Sequence, residues 1–122
     1  GLSVSADSIL WWLQQSEEAR HAITQKGKSL SSVLTDFAKW VEKDPLIWGN
    51  GATFDNVILA NAYDQCKIKR PWIYGNNRCY RTLKSFYPHI KFQHSGVAHN
   101  ALDDAQSQAM HLINILKSMS NH

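Results

Sequence analysis

Asp55, His99 and Asp104 are the residues of this 122-residue chain whose types and settings best suit chemistry. Asp55 comes one helical turn after the loop Trp48-Gly49-Asn50-Gly51. In α/β proteins ligands gather at the carboxyl ends of strands, where loops feed into helices, so an aspartate there is well placed to face a site. His99 and Asp104 stand five residues apart in the run AHNALDDAQ, at the start of the last helical stretch. That spacing puts a histidine at or before the helix start and a carboxylate just over a turn later, on a rigid element. A histidine titrates near neutrality and suits proton abstraction. Successive helical residues point about 100° apart, so only one of Asp103 and Asp104 can face a given site. The helix macrodipole alone would also favour acids in the first turn, and both explanations remain open at this point.

The elements that must position these residues can be read from periodicity. Ala6 to Arg20 is expected to be helical, with Ile9, Trp12 and Leu13 on one face and Ser5 or Asp7 as cap. Gly27 punctuates the break Gln25 to Ser29. Leu30 to Glu42 is the clearest helix: Leu30, Val33, Leu34, Phe37, Trp40 and Val41 form an apolar stripe, Ser29 caps it and Pro45 marks its end. Leu46-Ile47-Trp48 reads as a short buried strand before the glycine-rich loop. A helix is expected from Thr53 to about Gln65, with Phe54, Val57, Ile58, Ala60 and Ala62 turned inward. Lys67 to Asn77 is loop-like with room for a strand at Trp72 to Tyr74, and Arg81 to Tyr87 offers one or two helical turns before Pro88. His89 to Val97 is irregular. Asn100 to Ser118 is helical, with Leu102, Ala105, Ala109, Leu112, Ile113 and Leu116 as its apolar face. Helices dominate, and an α/β domain normally lays more than one strand beneath them. Either the fold is all-α, or part of the sheet lies outside this chain.

Composition narrows the classes. The length suits a single domain over residues 1–122, and 43% hydrophobic residues can build one core. No apolar run approaches the roughly 20 residues that cross a bilayer, and the start has no secretory pattern, so no membrane role is expected. Cys66 and Cys79 are too few for a disulfide scaffold and lack metal-type spacing; they read as free thiols in a reducing cytoplasm. A net charge of +3 is compatible with a polyanionic partner. His89, His94 and His99 recur every five residues, but without cysteine or carboxylate partners at ligand spacing they do not make a zinc site.

WGNGATFD (Trp48 to Asp55) together with AHNALDDA (Ala98 to Ala105) resembles the second and third motifs of the DEDDh 3′→5′ exonuclease superfamily. The likeness is greatest to its phage and bacterial branch, which has an RNase-AS-like exoribonuclease domain and includes phage exonuclease A and prophage relatives. NRCYRTLKSFYP (Asn76 to Pro88) and SILWWLQQSEEAR (Ser8 to Arg20) also look typical of that branch. The resemblance implies an RNase H-like α/β fold and hydrolysis of terminal phosphodiester bonds in single-stranded DNA or RNA, in the cytoplasm of a bacterial or phage-infected cell. It makes Asp55 and Asp104 the third and fourth carboxylates of the family's set, both metal-binding, and His99 the general base. In the family, four carboxylates hold two divalent cations, and hard oxygen donors suit Mg²⁺ or Mn²⁺. Asn50 and Phe54 are expected to line the nucleotide pocket. Arg81 is expected to pair with a phosphate through its planar guanidinium. Trp11 and Trp12 are candidates for base stacking, although tryptophan at helical spacing is more often core.

One departure from the pattern is large. The family's first motif, D-x-E on the first strand, occurs nowhere in the sequence, and the chain begins at Gly1. The expectation is a strand-poor fragment with an incomplete two-metal site, weak metal affinity, little hydrolysis by itself, and a tendency to self-associate through uncovered core surface. Two other classes stay in view: a catalytically dead remnant that still binds single strands with a steep salt dependence, and a helical interaction domain.

Overall fold

The structure is a computed structural model that describes residues 5–24 and 27–121, the side chains of 22–24 excepted. Its elements are α1 (Ala6–Leu13), α2 (Glu17–Thr24), α3 (Leu30–Trp40), β1 (Ile47–Gly49), α4 (Asp55–Gln65), β2 (Asn77–Cys79), α5 (Tyr80–Ser85) and α6 (Ala101–Ser120), with a 3₁₀ turn at Tyr74–Asn76. The described residues fall into two compact units, one of residues 27–86 and the other of residues 5–24 with 87–121.

The first unit holds the sheet. β1 and β2 pair in parallel, with Ile47 opposite Asn77, Trp48 opposite Arg78 and Gly49 opposite Cys79. The second strand therefore lies at 77–79, not at Trp72 to Tyr74. Trp72 is instead a core side chain, because its ring stacks edge-on against Tyr63 at 5.8 Å and its Nε1 donates to Asn77 Oδ1. Leu34, Ala62, Tyr63 and Trp72 form the buried cluster, with Phe37, Ile47, Leu59 and Ile68 packed around it. The Tyr63 hydroxyl donates to Leu34 O at 2.6 Å and pins α4 to α3, while burial pushes its pKa up.

The inward face of α4 differs from expectation. Asn56, Ala62 and Tyr63 are its buried residues, whereas Phe54, Val57 and Ile58 are exposed. The covered face is the one that meets β1 and α3, and Asn56 belongs to it because its amide finishes hydrogen bonds that the strands leave open. Its Nδ2 donates to Ile47 O at 2.9 Å and to Asn77 Oδ1 at 3.0 Å. α4 ends where Lys67 takes a left-handed conformation (φ 55°) and the Ile68 N–H reaches back to Tyr63 O. α3 stops at Trp40, with Val41 already extended, and of its apolar stripe only Leu34 is buried. Leu30, Val33 and Trp40 stand exposed.

In the second unit the expected helix Ala6 to Arg20 is two helices. The Ser16 hydroxyl accepts the Ala19 N–H and starts α2 afresh, while Ser5 caps α1 by accepting from Ser8 N. No residue of α1 is buried. On α6 the buried residues are Ser107, His111, Leu112 and Ile115; of the expected stripe Leu112 is buried as expected, whereas Leu102, Ile113 and Leu116 are exposed. The rotation has a polar cause: the irregular segment before α6 is stitched to it by hydrogen bonds that only polar side chains supply. Ser107 Oγ accepts from Ser95 N at 3.0 Å and donates to Ser95 O, and His111 Nε2 donates to Ile90 O at 2.7 Å. Among the described residues no helix is long and apolar enough to cross a membrane.

Candidate functional site

Two places carry the chemistry-bearing side chains, one in each unit. In the first unit both strands of the parallel pair run into helices at the same end, β1 through the loop 50–54 into α4 and β2 directly into α5. Asp55 opens α4. Its Oδ2 accepts the Asn50 N–H at 2.8 Å, and its own N–H, like that of Phe54, donates to Gly51 O. The carboxylate thereby closes the loop in which it stands, and its Oδ1 has no hydrogen-bond partner among the described residues. Arg81, in the first turn of α5, reaches Asn50 Oδ1 through Nε at 3.4 Å, and a β-carbon placed at Gly51 would sit 3.6 Å from its Nη1. Asn50, Phe54, Asp55 and Arg81 are thus gathered at the carboxyl ends of the strands, the edge at which α/β folds present ligands. Asn50 is gripped from both sides, by an anion on its N–H and by a cation on its side-chain oxygen. Phe54, 65% exposed, stands on the same loop.

Cys79, the last residue of β2, belongs to this edge as well. The Thr82 hydroxyl and the backbone N–H groups of Ala52, Thr82 and Gly51 donate to its sulfur and, against the opposing effect of burial, bring its thiol from the ordinary 9.0 down to about 7. Sequence reading passed over this polarisation: Thr82 is a near neighbour, but the Ala52 and Gly51 donors come from the loop before α4, which only the fold brings to the sulfur.

In the second unit Asn100 caps α6 by accepting the Asp103 N–H at 3.1 Å. The two adjacent acids then diverge. Asp103 turns back on the preceding loop, where its Oδ2 accepts the Val97 N–H at 2.8 Å. The space beside it exists only because residue 96 is glycine: Gly96 is left-handed at φ 83°, and a β-carbon there would lie 2.5 Å from the Asp103 carboxylate. Asp104 takes the other direction. Its Oδ1 accepts the backbone N–H of His99 at 3.2 Å and meets Nε2 of His94 at 3.0 Å. His99 adopts a left-handed backbone (φ 64°), which aims its N–H at Asp104, and its ring packs edge-on against Trp11 at 4.7 Å. The H-x₄-D spacing is therefore one hydrogen-bonded turn. His99 contacts Asp104 through its main chain, and the ring that touches the carboxylate is that of His94. Sequence reading noticed His94 only as part of a five-residue recurrence. Its pairing depends on the path of residues 95–100, and no local pattern displays that path.

Carboxylate oxygens such as Asp55 Oδ1 and Asp104 Oδ2 are hard donors, and in their chemistry they fit Mg²⁺ or Mn²⁺. Among the described residues no group of three or more His, Cys, Asp or Glu side chains converges to hold a metal ion. Each unit thus offers one such carboxylate and not a complete shell.

A mainly helical protein with a small parallel strand pair, bearing an acid and a guanidinium at its carboxyl edge and a His–Asp turn at a helix start, is the class that these features define. Compared with known protein families, residues 1–116 match the 3′-5′ exoribonuclease Rv2179c-like domain. The chain belongs to that family. No curated protein and no solved structure matches it.

Proposed function

We propose that this chain is a metal-dependent 3′→5′ exonuclease domain of the DEDDh type that trims the 3′ ends of single strands, with RNA favoured over DNA by the exoribonuclease description of its family. The observation that carries this reading is the His99–Asp104 turn, in which the histidine main chain and the carboxylate are locked at the start of α6 while the neighbouring Asp103 is spent on the loop. A bound Mg²⁺ or Mn²⁺ would supply Lewis-acid activation of water and neutralise charge at the scissile phosphate. Asp55 and Asp104 are each proposed as a metal-binding carboxylate. His99 is the base, Arg81 the phosphate partner through its two-pronged guanidinium, and Asn50 and Phe54 contact the terminal nucleotide. An RNase H-like fold, a cytoplasmic setting and self-association complete the proposal.

Because D-x-E is absent from the sequence, the test compares this chain alone with a fusion that places a D-x-E-bearing strand segment of a family member upstream of it. Both are given 5′-labelled single-stranded RNA or DNA and Mn²⁺. Stepwise shortening from the 3′ end by the fusion, lost in Asp104→Ala and Asp55→Ala, supports the proposal. Strand binding without shortening in either protein would replace it with the catalytically dead binding module.

A further inference from the structure

Asp104 Oδ1 is held from two directions, and only one of its two partners is a side chain. The His99 N–H comes from the main chain, at 3.2 Å, and cannot be removed by exchanging that residue. The second partner, His94 Nε2, approaches at 3.0 Å. A carboxylate only accepts, so Nε2 is the nitrogen that carries hydrogen in this contact. About a third of each side chain is exposed (31% and 32%), so the pair is partly shielded from water.

The His94 ring is itself fixed in place. Phe92 lies edge-on to it at 6.2 Å and, at 5.8 Å, to His111, whose Nε2 donates to Ile90 O. The adjoining Ser95 is clamped to Ser107 by bonds in both directions. The segment 90–95 is therefore tied to α6 at successive turns, and His94 is presented to Asp104 by a supported strip of chain. The ring also lines a groove of about 650 Å³ with Lys91, Gln93 and Asn114.

We infer that His94 is a positioning residue for Asp104: its Nε2–H fixes the carboxylate rotamer by occupying Oδ1, which would leave Oδ2 available to a cation. This rests on the proposed metal-binding role of Asp104. Groups that orient a metal-ligating carboxylate from outside the coordination shell commonly account for about 10–100-fold in metal affinity. His99, whose ring is turned to Trp11, cannot take over the role.

Mn²⁺ binding to this chain, read by electron paramagnetic resonance without any nucleic acid, tests the inference through side chains that place an N–H at different points. In His94→Gln the amide nitrogen stands where Nε2 stood; in His94→Asn it stands where Nδ1 stood and falls short of Asp104. The expected result is a weakening of about tenfold in His94→Asn and His94→Ala, recovery to within about threefold in His94→Gln, and loss of the site in Asp104→Ala. Wild-type affinity in His94→Asn would overturn the inference. So would a His94→Gln protein as weak as His94→Ala, which would make the ring a direct ligand. If Asp104→Ala also binds Mn²⁺ like the wild type, the metal role of Asp104 falls and this inference with it. If Asp104→Ala loses the ion while the His94 variants keep it, the positioning role alone is wrong.

Discussion

Asn56 and Asn77 are joined by a side-chain hydrogen bond of 3.0 Å that ties the first turns of α4 to the start of β2. Asn77 Oδ1 also accepts from Trp72 Nε1 at 2.9 Å, and Asn77 Nδ2 donates to Tyr74 O. Asn56 is 4% exposed. Removing its amide would leave Ile47 O and one of Asn77's acceptor sites without that donor in a partly buried place. Asn56→Ala is expected to destabilise the protein by about 2–3 kcal/mol, seen as a lower urea midpoint at constant slope. Gly49 meets the same amide. A β-carbon there would overlap the Asn56 side-chain oxygen and lie 3.1 Å from Asp55 Cβ. Because Nδ2 is held by its own bonds, the amide cannot swing aside, and Gly49→Ala should cost about 1–3 kcal/mol. In an Asn56→Ala background the same change should cost less, a non-additivity of about 1 kcal/mol or more. Strict additivity in that double-mutant cycle would show that Gly49 and Asn56 do not compete for space.

Cys79 should behave as a thiol half-ionised near neutrality. Its alkylation by iodoacetamide, followed by mass spectrometry, is expected to reach half its maximal rate near pH 7. Thr82→Val removes the largest cause of the lowering, so it should move that midpoint up toward 9.0. The linkage follows from the direction of the shift. The fold favours the thiolate, so the associated stability is fully present above 9.0 and is lost as pH falls through about 7. A midpoint unmoved by Thr82→Val would mean that the backbone donors alone set it.

The adjacent acids of α6 should both matter for stability and differ in their effect on activity. Asp103→Ala frees the Val97 N–H and the loop at Gly96, and a loss of about 1 kcal/mol is expected, a fall of about 4 °C in Tm for a chain of this size. Asp104→Ala frees the His99 N–H and the His94 ring and should cost a comparable amount of stability, but it alone should lower trimming by the D-x-E-bearing fusion by at least about 100-fold. The opposite assignment of effects would exchange the roles of the two residues.

Self-association should be visible in sedimentation. Trp40, Tyr74 and Phe86 are all more than two-thirds exposed, and covering such rings against a second copy would remove apolar surface from water. A sedimentation coefficient that rises with concentration is expected, whereas a clean monomer at every concentration would count against association.

Local chemistry in the sequence was enough for the helix caps at Ser5 and Ser29, the short strand before the Gly49–Gly51 loop, and the placing of Asp55 and Asp104 in first helical turns. Caps and turns use neighbours within about four residues, and the sequence displays such neighbours. It did not display which helical face would be covered. Apolar periodicity was right about Ala62 on α4 and Leu112 on α6, but it also pointed to Phe54, Val57 and Ile58 and to Leu102, Ile113 and Leu116, which are exposed. The tertiary structure instead buries Asn56 on one helix and Ser107 and His111 on the other. A buried backbone donor or acceptor has to be satisfied, so polar side chains are drawn to wherever a strand or loop leaves one open, and that place is set by distant chain. The position of β2 at 77–79, the choice of Asp103 for the loop and Asp104 for the histidines, and the contact of His94 with Asp104 were decided in the same way, by partners brought together across 5 to 30 residues of chain.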